Sequence, residues 1–159
     1  MNLNPKTEFI INKLRNSSIW EPVDEALIPI VNALNAQPGL TSDVCCEGHG
    51  DYFPYIYFTL DGTSQSLQSL GRVQTVAKSQ GWLTLPDTIN GIDEISLYFC
   101  MLPKEAFSAA TPKDSLIKIK LPTDLDGSAF LDDLEKISQK IQRNFRETIL
   151  KKPLFSFPA

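Results

Sequence analysis

The hydrophobic period of this chain switches repeatedly between about 3.6 and 2, and that switching constrains the fold more than any single residue. Residues 54–60 alternate strictly, with Ile56, Phe58 and Leu60 on one side and Tyr55, Tyr57 and Thr59 on the other, as a half-buried strand does. After the Asp61-Gly62 turn, Leu67, Leu70, Val73 and Ala77 recur at helical spacing until Gly81, so a helix is expected over 64–79. The same reading predicts strands over 41–46, 82–85, 93–101 and 115–121. It predicts helices over 5–15, with Phe9, Ile10, Lys13 and Leu14 on one face, and over 128–150, capped by Ser128. Residues 22–36 place Val23, Leu27, Ile30, Val31 and Leu34 on one helical face, with Asp24 and Glu25 suited to the positive N-terminus. Pro29 removes a hydrogen bond there, so the segment is expected to kink or to begin a short helix near Pro29, ending at Pro38-Gly39. The order α, α, β, β, α, β, β, β, α shows no repeat and no linker. It predicts one α/β (α+β) domain over 1–159, a central mixed sheet packed with helices and closed by a long C-terminal helix.

Composition excludes several classes. The chain has 159 residues, 42% of them hydrophobic, and a net charge of −4, enough apolar content for a core and too little charge for disorder. No apolar run reaches the roughly 18 residues of a membrane span, and residues 1–15 lack a signal-peptide core. Three cysteines, two of them adjacent, do not make a disulfide scaffold, so a cytoplasmic location is expected. The acidity disfavours nucleic acid as a partner. Lys136, Lys140, Arg143, Arg146, Lys151 and Lys152 do cluster against the single acid Glu147, which reads first as a solvated helix face.

One block stands out for chemistry. Cys45-Cys46-Glu47-Gly48-His49-Gly50 puts two thiols, a carboxylate and the one histidine of the chain at the end of a predicted strand. The glycines allow positive φ and close approach to a ligand. Zinc would want four protein ligands, usually from two separated pairs. Cys46 and His49 form one pair, which Cys45, Glu47 or Asp51 could extend, but the only other thiol is Cys100. No metal ligand is assigned. A Cys46–His49 nucleophile pair is a second reading, although such pairs usually join distant segments. Acid–base chemistry by Glu47 and His49, alternate residues on a tight turn, is a third. Against all three stands a plain glycine turn with the cysteines as small apolar fillers. Beside the block, Tyr55 and Tyr57 share a strand face. With Tyr98 on the same side they would form an aromatic surface able to stack a planar ligand, or would simply be buried rings.

Leu34-Asn35, Pro38-Gly39, Thr41, Cys46-Glu47-Gly48-His49 and Tyr55-Ile56-Tyr57-Phe58 together resemble small, mostly uncharacterised bacterial and phage proteins. Those carry a helix ending in Leu-Asn, a Pro-Gly turn, a Ser-Cys-Glu-Gly-His block and an aromatic strand. More distantly, residues 30–60 resemble the tRNA wybutosine-synthesis methyltransferase family, whose block reads Ser-Ser-Cys-Ser-Gly-Arg. That resemblance implies a compact α/β fold, S-adenosylmethionine and a tRNA substrate. Here Val44-Cys45, Glu47 and His49 stand where that family has its serines and arginine, and loss of the arginine removes a fixed cation suited to phosphate.

The reading adopted is a polar ligand pocket in which Cys46, Glu47 and His49 are the candidate catalytic residues and Tyr55, Tyr57 and Tyr98 line the ligand, a small and nucleotide-like molecule. The alternatives are a non-catalytic interaction protein whose block is a structural turn, and an RNA-associated protein using the aromatic face and the basic final helix. No cofactor and no oligomeric state are assigned, because Gly48-His49-Gly50 lacks the strand–loop–helix context of a dinucleotide fingerprint.

Overall fold

The computed structural model describes residues 1–49, 53–86, 97–106 and 127–151. Along them run α1 (Pro5–Arg15), a 3-10 turn (Glu25–Leu27), α2 (Ile28–Asn35), β1 (Leu40–Cys46), β2 (Tyr55–Leu60), α3 (Ser64–Ser79), β3 (Trp82–Pro86), β4 (Leu97–Pro103) and α4 (Gly127–Lys151). The class is α+β. The described strands form one sheet in the order β1-β2-β4-β3, antiparallel at every pairing, where a mixed sheet was expected. The strand expected over 115–121 and the tail 154–159, whose Phe155 and Phe157 leave docking and fraying both open, lie outside the described residues, as do residues 93–96 of the strand expected over 93–101.

Local chemistry accounts for the element ends. Asn4 caps α1, its side chain accepting from the Lys6 N–H, and Thr63 caps α3 by accepting from Ser66 N–H. Pro29 falls in the first turn of α2, where its missing N–H costs nothing. The second of the two expectations for 22–36 is therefore the observed one: a 3-10 turn leads into a short helix. α4 starts at Gly127, one residue before the expected cap.

A single apolar cluster joins the helices to the sheet. Ile30, Val31 and Leu34 of α2, Ile56 and Phe58 of β2, Val73 and Ala77 of α3, and Leu134, Ile137 and Ile141 of α4 all belong to it. Phe130 of α4 meets Phe53 and Trp82 edge-on, with centroids 5.6 and 6.4 Å apart, a preferred aromatic geometry. Two expected core residues are outside it: Phe9 is 68% and Leu67 is 55% exposed. Their places on the inner faces go to Thr7 in α1 and to Ser66 and Ser69 in α3, each fully buried and, for the serines, hydrogen-bonded to backbone carbonyls. No helix among the described residues is long and apolar enough to cross a membrane.

Polar bonds fix the α2–β1 connection. Buried Asn35 donates to Thr7 Oγ1 (3.1 Å) and Ser42 Oγ (2.8 Å) and accepts from Ser42 N–H (2.7 Å). Gly39, at φ +75°, makes the turn. β1 then runs back along α2, so its far end returns to the level at which the 3-10 turn begins.

Candidate functional site

β1 carries an irregularity that decides where Cys46 lies. From Ser42 to Cys45 it advances three residues while its partner β2 advances two, from Phe58 to Ile56, the count of a β-bulge. Directly paired residues share a sheet face. Cys45 opposite Ile56 therefore enters the core, and Cys46 opposite Tyr55 leaves the core face. Without the extra residue the two thiols would exchange roles. Burial pushes the Cys45 thiol up to about 12, which marks it as an inert filler.

Past Cys46 the backbone takes two left-handed residues in succession, Gly48 at φ +88° and His49 at φ +47°. The second is uncommon for a residue with a side chain. The turn brings the Gly48 N–H onto Cys46 Sγ at 3.2 Å and lifts the imidazole outward, 47% exposed.

There His49 meets three carboxylates. Nδ1 lies 3.4 Å from Glu47 Oε1, and Nε2 lies 3.4 Å from Glu21 Oε2 and 3.6 Å from Asp24 Oδ1. Asp24 is itself held, because its Oδ2 accepts the Glu47 N–H at 2.8 Å. Glu21 and Asp24 come from the segment between α1 and the 3-10 turn. The sequence offered Asp24 only as a helix-start acid and Glu21 not at all. Their role follows from the return of β1 along α2, and no local period signals it.

The electrostatics follow from this crowding. The charge of Asp24 is the largest influence and raises the His49 pKa above its usual value; desolvation comes next and opposes it, and the hydrogen bond and charge of Glu21 and the charge of Glu47 add to the rise. The Cys46 thiol is also raised, chiefly by burial, with the Gly48 N–H pulling the other way. A raised thiol is the opposite of the low-pKa thiolate that a cysteine nucleophile uses.

The tyrosines divide. Tyr55 is half-buried beside Cys46, its hydroxyl pushed up by burial. Tyr57 packs edge-on to Tyr55 at 5.7 Å and is only 2% exposed, so its ring offers no open stacking face. The pairing Thr59↔Tyr98 puts position 98 on the same sheet face as positions 55 and 57. Gly50, Asp51 and Tyr52 lie outside the described residues. Lys136, Arg143 and Arg146 are exposed on α4, as on a solvated helix face. Compared with known protein families, curated proteins and solved structures, the chain matches none.

Because the chain has one histidine, its titration is directly readable by proton NMR. The imidazole is expected to titrate above 6.5 in the metal-free protein, and Asp24→Asn is expected to lower that value more than Glu47→Gln does. The linked stability has a fixed sign: the folded pKa is raised, so the pairing of His49 with its carboxylates contributes fully below about 6.5 and its contribution is lost as pH rises through the higher folded value. An unchanged titration in Asp24→Asn would show that the carboxylate does not act on the ring.

Proposed function

We propose that this protein binds a small cationic ligand at the turn after β1, with Glu47 and His49 of the block and Glu21 and Asp24 of the preceding loop as its polar contacts. One observation carries the reading. Three carboxylates converge on a single imidazole, and no lysine or arginine among the described residues pairs with any of them. Even with His49 protonated, these four side chains carry two uncompensated negative charges. Such a site attracts cations and repels phosphates, because field and counter-ion concentration follow the local sign of charge. Carboxylates lie beside both imidazole nitrogens, and since each can only accept a hydrogen bond they favour the doubly protonated, cationic ring.

A second reading is favoured by the Glu47–Asp24 hydrogen bond. In it the cluster is a structural clasp that pins the loop before α2 to the turn after β1, as an interaction protein without catalysis would allow.

Both readings meet one experiment. The His49 ring protons and the Glu47 and Gly48 amides are followed by NMR while magnesium, calcium, zinc, guanidinium and adenosine monophosphate are added separately. Saturable shifts with at least one cation, and none with the nucleotide, are expected. A site that responds to no cation, in a protein that Asp24→Asn measurably destabilises, is the clasp alone.

A further inference from the structure

From the donor set we infer that the cation is a divalent transition metal of the zinc type, ligated by Cys46 Sγ, the His49 imidazole and the Glu21 carboxylate. This inference rests on the cation-binding reading and names the ligand class of that site.

Geometry comes first. One ligand atom each from Glu21, Cys46 and His49 lie within 4.8 Å of one another, and so do one each from Asp24, Glu47 and His49. Metal–ligand bonds of about 2.0–2.3 Å around a tetrahedral ion set ligand atoms roughly 3.3–3.8 Å apart. The remaining closure falls on side chains free to make it, since Glu21 is 73% and His49 47% exposed. Cys46 is held by the strand end.

Donor type narrows the ion. Thiolate and imidazole select zinc and its borderline neighbours, whereas magnesium and calcium take oxygen sets. Three protein ligands leave one tetrahedral position for water or a bound molecule, the arrangement of an open site.

The surroundings suit a metal ligand better than a free thiol or a free base. The Gly48 N–H on Cys46 Sγ favours the sulfur's anionic form. Whichever ring nitrogen binds the ion, the other faces a carboxylate that is not a proposed ligand: Glu47 at Nδ1, or Asp24 at Nε2. A carboxylate on the far nitrogen fixes tautomer and ring orientation in metal-bound histidines. Asp24, tied to the Glu47 amide, holds that arrangement in place. Binding replaces the thiol proton by the metal ion, and that proton, together with the second ring proton wherever His49 is protonated, goes to solvent, so charge and atoms balance without a further reactant.

The test titrates the reduced, chelator-treated full-length protein with cobalt(II) and follows its absorption spectrum. Binding of one ion per chain is expected, with d–d bands of a four-coordinate site and a sulfur-to-cobalt charge-transfer band. Zinc is expected to displace the cobalt, in line with the usual affinity order. Cys46→Ser should abolish the charge-transfer band, and His49→Gln should weaken binding by on the order of 100-fold. Glu21→Gln provides a second variant with little influence on folding, because Glu21 is exposed and, among the described residues, pairs with His49 alone; about a tenfold loss is expected there. Cobalt binding without the sulfur band, or unchanged in Cys46→Ser, overturns the inference, as does equal affinity for calcium or magnesium. If guanidinium moves the His49 resonance and no transition metal binds, the inference fails and the cation-binding reading stands. If no cation binds, both fail.

Discussion

Replacing Asn35 with alanine is expected to lower the unfolding free energy by about 3 kcal/mol, the range for stranding buried hydrogen-bonding groups. Asn35 is 2% exposed and uses its side chain fully: Nδ2 donates to Thr7 Oγ1 and Ser42 Oγ, and Oδ1 accepts from Ser42 N–H. Alanine leaves the Ser42 amide without an acceptor in a place closed to water, since Ser42 and Thr7 are themselves buried. The two hydroxyls can turn toward other partners, but the amide cannot. Urea unfolding should show a lower midpoint with an unchanged slope. Asn16→Ala, in an exposed position where the side chain bonds only its own helix end, should stay within about 0.5 kcal/mol. A loss below about 1 kcal/mol at Asn35 would mean that water or a relaxed backbone replaces the network.

The same residue links stability to the site. Asn35 ties α1, α2 and the start of β1 together, and the segment it organises begins at Asp24 and ends at His49. A loosened α2–β1 connection separates carboxylates from imidazole. The Asn35→Ala variant is therefore also expected to weaken cobalt binding, although it touches no ligand.

The division between what the residues disclose and what they conceal falls along that connection. Strand β2 and helix α3 are legible because each buries a face at its own period. Pro29 is legible because its missing N–H leaves few places in a helix. Leu67 misleads: it sits at helical spacing yet is exposed, because Ser66 and Ser69 beside it take the inward positions, their hydroxyls bonding backbone carbonyls. Tyr57 misleads because its ring is buried although it lies on the face opposite Ile56 and Phe58, which alternation alone does not report. The bulge in β1 is invisible to periodicity, yet it decides which of two adjacent thiols faces the site. Glu21 and Asp24 escape because their partners are more than twenty residues away, as the Glu47–Asp24 bond shows with its separation of 23. The block itself is legible as unusual. The side chains that join His49 from outside the block are carboxylates of another segment, where a search for a second cysteine–histidine pair does not look.

Gly39→Ala is expected to cost about 2–5 kcal/mol, by adding backbone strain of about 1–2 kcal/mol to overpacking of about 1–3 kcal/mol. At φ +75° any side chain is strained, and a Cβ there would lie 2.5 Å from Ser66 Cβ and 2.8 Å from Asp61 Oδ1. Neither neighbour yields easily. Ser66 is buried with its hydroxyl on the Thr63 carbonyl, and Asp61 caps the turn by accepting from the Thr63 N–H and hydroxyl. The Gly39 carbonyl also accepts the Asp61 N–H at 2.9 Å, so the α2–β1 and β2–α3 turns move together or not at all. Two further glycines separate the causes. Gly81 has φ +80° but nothing within 4 Å of a built Cβ, so its alanine variant should lose only the conformational part, about 1–2 kcal/mol. Gly71 lies in α3 with an ordinary φ and open space, so alanine there should stabilise by about 0.5–1 kcal/mol. The expected order in unfolding free energy is Gly71→Ala above the natural chain, then Gly81→Ala, then Gly39→Ala. If Gly39→Ala falls no lower than Gly81→Ala, the two turns are not in contact as described. The joint that returns β1 along α2, and with it Glu47 and His49 to Asp24, would then have to be held by the Asn35 network alone.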